Sequence, residues 1–152
     1  VLVQAIHNRL QQPPPASALL NTASLFGAIW VVLMMATGMI VLTSLNLLFK
    51  LQDSSPADAS AVYYALSMIE NGLGGGIELV GGIWVLLLSI VALKQQQLTK
   101  NLNLLGLLVG STGILTVLHT LPYLKDIFGI SQLLWFIWLG IIIWRQRNNS
   151  AR

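Results

Sequence analysis

Apolar residues run almost unbroken through four stretches of this chain, and short polar segments separate them. Leu25 to Phe49, Leu73 to Leu93, Leu104 to Leu124 and Ile127 to Trp144 each hold 18 to 25 residues. At about 1.5 Å per helical residue, runs of that length match a hydrocarbon core of roughly 30 Å. The pattern predicts an all-α, integral membrane four-helix bundle over residues 23–152, preceded by an N-terminal cytoplasmic segment, 1–22. Pro13, Pro14 and Pro15 cannot continue a helix, so Asn21 or Ser24 is expected to cap the first span. Lys50 to Ala61 is polar and contains Pro56. The next stretch, Ala57 to Asn71, reads as a short surface helix or a frayed extension ahead of the second span. Lys94 to Asn103 reads as a tight polar loop. Val1 to Leu10 (VLVQAIHNRL) reads as the remnant of an earlier helix.

Composition agrees with this pattern. Of 152 residues, 55% are hydrophobic and 9% charged, against roughly 25% charged in an average soluble domain. The segments between spans are too short to bury a core of their own, so any chemistry lies in the helices or their loops. The formal net charge is +3, but the eight basic residues are scattered, which is unlike a nucleic-acid patch. Their placement fits membrane orientation instead. Arg9, Lys94, Lys100, Arg145, Arg147 and Arg152 fall on one face, and Lys50 and Lys125 on the other. The positive-inside rule then makes both termini cytoplasmic, and the bacterial inner membrane the expected location. The chain has no cysteine, which excludes disulfides, thiolate metal sites, iron–sulfur clusters and cysteine nucleophiles.

Glu78 stands inside the second apolar run, and carboxylates within a bilayer span are costly and usually functional. At 100° per residue it shares a face with Gly74, Gly81, Gly82, Val85 and Ser89, while Val80, Ile83, Leu87 and Val91 occupy the other side. The small face is expected to meet protein and the branched face lipid. The third span carries its own small stripe at Gly106, Gly110 and Gly113, a spacing that permits close backbone approach. On another face of that span Thr112, Thr116 and His119 line up. Depth counted from the span ends puts Glu78 and His119 at one level on the outer side, roughly 7 to 8 Å below the boundary. Thr43 and Asn46 of the first span and Ser131 and Gln132 of the fourth are expected in the same layer. Trp30, Trp84, Trp135 and Trp138 sit too deep for an interfacial belt and are expected as packing residues.

Two readings of this layer remain open. In one it is a structural network in which Glu78, protonated or paired with His119, ties two helices together. In the other it floors an outward-open pocket where Glu78 and His119 exchange a proton or bind a small cation. A third use of His119, as an axial ligand to haem or chlorophyll, lacks the second histidine that a b-type haem usually takes, because His7 lies on the cytoplasmic side. The glycine cluster 72–76 lacks the Lys-Ser/Thr and the preceding strand of a phosphate loop. No Ser-His-Asp set, HExxH motif or paired histidine at metal spacing occurs, so neither an enzyme nor a metal site is expected.

The FGAIW opening, the NGLGGGIELVGGIWVLLLSIVALK stretch from Asn71 to Lys94, the NLLGLLVGSTGILT stretch from Asn103 to Thr116 and the terminal LLWFIWLGIIIWR from Leu133 to Arg145 together resemble uncharacterised bacterial polytopic membrane proteins. The resemblance covers some 120 residues from Leu25 onward and rests mostly on composition and glycine placement. It implies a compact helical bundle, often with one or two further N-terminal spans, and no assigned activity or catalytic residues. The expected role is a non-enzymatic membrane component, an accessory or structural subunit of a larger assembly. Its partners would be lipid and other membrane subunits or a second copy of itself. A small transporter or proton-linked sensor at Glu78 and His119 is the alternative, and a haem or pigment carrier through His119 the third.

Overall fold

The computed structural model describes residues 1–11, 17–118, 121 and 123–150, with 74–76 and 146–150 described for their backbone alone. It is all-helical among those residues: α1 (Leu2–Leu10), α2 (Ala18–Ser54), α3 (Pro56–Lys94), α4 (Lys100–Leu115) and α5 (Tyr123–Ser150). Three stretches, Ala18–Ser54, Pro56–Lys94 and Tyr123–Arg145, are long and apolar enough to cross a bilayer. At 37 and 39 residues, α2 and α3 are about 55 and 58 Å long. With 16 residues, α4 reaches only about 24 Å.

Three expected boundaries move. Ser17, not Asn21 or Ser24, caps α2, its hydroxyl accepting the Leu20 N–H at 3.3 Å. Of the two readings of Ala57 to Asn71, a separate surface helix does not form and the stretch is a helical extension of the second span, because α3 runs without interruption from Pro56 through the glycine cluster to Lys94. The reason is local. A residue before proline is pushed out of the α region, and proline is tolerated in the first turn of a helix. Ser55 (φ −154°, ψ 84°) therefore ends α2, and Pro56 begins α3 in the next step. Ser55 Oγ donates to Asp58 Oδ2 at 2.7 Å, and that carboxylate lies in the first turn, where it complements the helix dipole. The third boundary concerns α4, which stops at Leu115, well short of Leu124. There the Val117 and Leu118 N–H groups turn to Ile114 and Leu115 carbonyls three residues back, and Thr116 Oγ1 donates to the Gly113 carbonyl at 2.7 Å.

Successive helices pack antiparallel, and bulky side chains set against bare backbone fix their register. A Cβ on Gly81 would lie 2.6 Å from Trp30 Nε1, and one on Gly27 would lie 2.7 Å from Trp84 Nε1. The contact is reciprocal: each helix offers one indole and receives one on a glycine three residues earlier. It arises from two copies of one short pattern, LFGAIWVVLM (25–34) and LVGGIWVLLL (79–88), which coincide at Leu, Gly, Ile, Trp, Val and Leu. On the other side of α3, a Cβ on Gly82 would fall 2.9 Å from the Gly110 carbonyl and from Gly113 Cα, and one on Gly113 would fall 2.6 Å from Phe128. Gly81, Gly82, Gly106, Gly110 and Gly113 are all buried, as the small-face reading expects. On the branched side Val91 is buried as well, because α1 and α2 cover that end of α3 where lipid was expected.

The aromatic core sits between α2, α3 and α5. Trp30 and Trp84 stack with centroids 5.3 Å apart, Trp84 meets Trp135 edge-on at 6.3 Å, and Phe136 packs within 6.0 Å of all three indoles. Trp138, expected in this core, is exposed on the outer side of α5. Beneath the core, α1 folds back so that Ile6 and Leu10 are buried, and His7 Nδ1 pairs with Ser24 Oγ at 2.7 Å.

Glycine-to-alanine substitutions should separate packing positions from free ones. Gly82→Ala and Gly110→Ala are expected to destabilise by about 1 to 3 kcal/mol, because the new methyl meets backbone that cannot yield. Gly129 and Gly140 have open space around them, so alanine there should be neutral or stabilising by up to about 1 kcal/mol. Unfolding in mixed micelles measures both sets.

Candidate functional site

Lys125 Nζ donates to Asn71 Oδ1 at 2.9 Å, which places the start of α5 beside the middle of α3. Below that link, toward the aromatic core, α3, α4 and α5 converge around Glu78. The Glu78 carbonyl lies 2.7 Å from where a Gly113 side chain would begin, and Phe128 closes on the same point from α5. Glu78 is half-buried, yet its Oε2 is fully enclosed and has no hydrogen-bond partner among the described residues. Gln132 is buried, and its Nε2 likewise has no partner. An orphaned acceptor on α3 and an orphaned donor on α5 are thus left near the level where the bundle narrows from several helices to two. Each such group costs about 1 to 3 kcal/mol unless something satisfies it.

The remaining layer residues divide. Thr116 is buried and gives its hydroxyl to Gly113, and Ser131 gives its hydroxyl to the Phe128 carbonyl at 3.1 Å. Thr112 is half-buried and bonds the Val109 and Leu108 carbonyls at 2.9 and 3.1 Å. These hydroxyls are spent on their own helix, so none of them completes Glu78. Asn46 and Thr43 are not in the layer. The Trp30–Gly81 and Gly27–Trp84 contacts set Asn46 opposite the neighbourhood of Ala65, some 13 residues up α3 from Glu78, or about 20 Å. That displacement follows from the uninterrupted α3, which moves the turn of the hairpin to Ser55. Both side chains are exposed on the outer face of α2. His119 lies outside the described residues, as do the surroundings of Gly74.

Thr37 was not anticipated. Its Oγ1 is buried without a partner, and the hairpin register puts it opposite the glycine cluster, about one turn above Glu78. Only the register reveals it, since a threonine in an apolar helix usually satisfies itself on a carbonyl one turn back. The Nε1 atoms of Trp30, Trp84 and Trp135 are buried and unpartnered too, each set against a glycine of a neighbouring helix. Among the described residues no three His, Asp or Glu side chains gather within reach of one metal ion.

A groove of about 480 Å³ lies elsewhere, near the turn of the α2–α3 hairpin, lined by Leu45, Leu48, Phe49, Tyr63 and Tyr64 with Pro56 at its end. None of its lining residues belongs to the Glu78 layer. Neither a family model, nor a curated protein, nor a solved structure matches this chain.

Gln132→Met, which keeps the volume and removes the amide, is expected to stabilise the fold by about 1 kcal/mol, because a buried donor without an acceptor disappears. Thermal unfolding in detergent checks it. A loss of similar size would mean that the amide is bonded in the folded protein.

Proposed function

We propose that this chain is a non-enzymatic integral membrane protein, an accessory or structural subunit of a larger assembly in the bacterial inner membrane. In this reading it is a four-helix bundle in which α4 is the short member, and both termini are cytoplasmic. One observation carries the proposal. Of the most apolar 18-residue stretch of α2, only 6% is buried against the rest of the chain, compared with 47% in α3 and 33% in α5. Because α5 starts beside Asn71, the Pro56–Glu70 part of α3 and the α2 residues opposite it extend past α4 and α5, with Leu42, Phe49, Tyr64 and Met68 all more than 60% exposed. An apolar hairpin one layer thick suits helix packing against neighbours better than catalysis.

A second reading is favoured by the enclosed, unpartnered Oε2 of Glu78. A carboxylate surrounded by helices and left incomplete is suited to binding a proton or small cation, which makes a small transporter or sensor the alternative function, with His119 as the expected second group. The haem or pigment reading rests on His119 alone.

Purification of the native protein from its own membrane in mild detergent tests all three. The expected result is a colourless complex with a stoichiometric companion subunit or a second copy. Recovery as a single chain would reject the assembly reading, and visible absorption lost on His119→Ala would favour the pigment carrier. Reconstituted in liposomes, Glu78→Gln is expected to match the parent in proton flux. A flux present in the parent and abolished by that substitution would transfer the function to the Glu78 layer.

A further inference from the structure

Charged and aromatic side chains gather at two levels of the bundle. At one, Lys94 closes α3, Lys100 opens α4, and Arg145 lies on α5 level with Lys94, counted from the Trp84–Trp135 contact. At the other, Lys125 on α5 is bonded to Asn71 on α3, with Glu70 and Asp126 next to them in the chain. Along α5 the rise from Lys125 to Arg145 is about 30 Å, the thickness of a hydrocarbon core. Tyr123 and Trp144, 74% and 64% exposed, stand at those same two ends, where amphipathic rings settle at membrane interfaces. Within the described parts of α2 to α5, Glu78 is the only acidic or basic residue between the two levels.

We propose that the hydrocarbon core lies between these two levels, and that the α2–α3 hairpin beyond Asn71 is an arm standing clear of it on the extracytoplasmic side. The proposal rests on the membrane reading above, with cytoplasmic termini, and not on the presence of a companion subunit. The Trp30–Gly81 and Gly27–Trp84 contacts set Ile40 of α2 opposite Asn71, so the first span becomes Ala18 to Ile40 in place of Leu25 to Phe49. Centring the bilayer on the Leu25 to Phe49 run would instead sink Glu70, Lys125 and Asp126 about 12 to 15 Å below its surface. It would also leave the apolar end of α5, Ile141 to Trp144, outside hydrocarbon. From Asn71 the arm rises about 22 Å to Pro56. Its first 5 to 7 Å or so pass through the headgroup zone, which takes in the exposed Leu42, Leu45 and Met68. Farther out the surface turns polar, with Lys50, Gln52, Asp53, Ser54, Asp58 and Ser60 all exposed. The groove lined by Phe49, Tyr63 and Tyr64 lies about 10 to 22 Å beyond the boundary, so it opens to the extracytoplasmic side and not to acyl chains.

The chain contains no cysteine, so a single introduced thiol reports the water around it. Maleimides react with the thiolate, a form that hydrocarbon suppresses. With the full chain reconstituted in liposomes, Leu45→Cys and Met68→Cys are expected to be alkylated by N-ethylmaleimide, the adduct being read by mass spectrometry. Ile29→Cys and Val32→Cys are expected to stay unlabelled until detergent is added. All four native side chains are exposed, so the substitutions leave the packing intact. Leu45→Cys and Met68→Cys as silent as Val32→Cys would overturn the boundary and put the Lys125–Asn71 link inside the bilayer, with the membrane reading still standing. Labelling of all four before detergent rejects the membrane reading itself.

Discussion

The close approach of backbones at α3 is the constraint on which the rest of the structure depends. On one side Gly81 admits the Trp30 indole, and on the other Gly82 lets α3 and α4 touch main chain to main chain at Gly110 and Gly113. Apolar attraction supplies little preference among helices that are equally apolar, so shape decides which faces meet. Bulky residues set against bare glycines make one register better than its neighbours. The reciprocal pair Trp30–Gly81 and Trp84–Gly27 does this for the hairpin, and the α4 glycines do it for the second pair of helices.

That register has consequences at both ends of the bundle. Toward Lys94 all the helices are present, α1 closes the base, and the core is dense. Toward Ser55 the long hairpin continues after α4 has ended and α5 has begun, so its two helices have only each other. The same difference in length leaves only 6% of the most apolar stretch of α2 buried, and it gathers the unsatisfied polar atoms of Thr37, Glu78 and Gln132 near the level where the bundle narrows from several helices to two. The end of α4 lies against Glu78 through Gly113. The hydroxyls that a ligand would need there are instead held by the Gly113 and Phe128 carbonyls.

The Glu78 layer and the outer face of α2 are different kinds of feature. One is enclosed and incomplete, and its meaning lies in what occupies it. The other is open and apolar, and its meaning lies in what covers it. An assembly role draws on the second and tolerates the first as a local cost of about 1 to 3 kcal/mol per orphaned group.

Apolar run length and the absence of competing soluble segments determined by themselves that the chain is helical and suited to a bilayer, because backbone groups in hydrocarbon must be satisfied within each helix. The small faces of α3 and α4 were legible for the same reason: helical periodicity places residues around an axis whatever the partner. The repeated Gly-x-Ile-Trp pattern was also present in the sequence, though its significance appears only when the two copies meet. Tertiary structure alone decided the axial positions. Counting depth from apolar boundaries put Asn46 beside Glu78, whereas a helix that passes through Glu70 and the glycine cluster to Pro56 puts them about 20 Å apart. Periodicity fixes the angle of a residue on its helix, but its height against a neighbour is set by side-chain packing, and no composition encodes that.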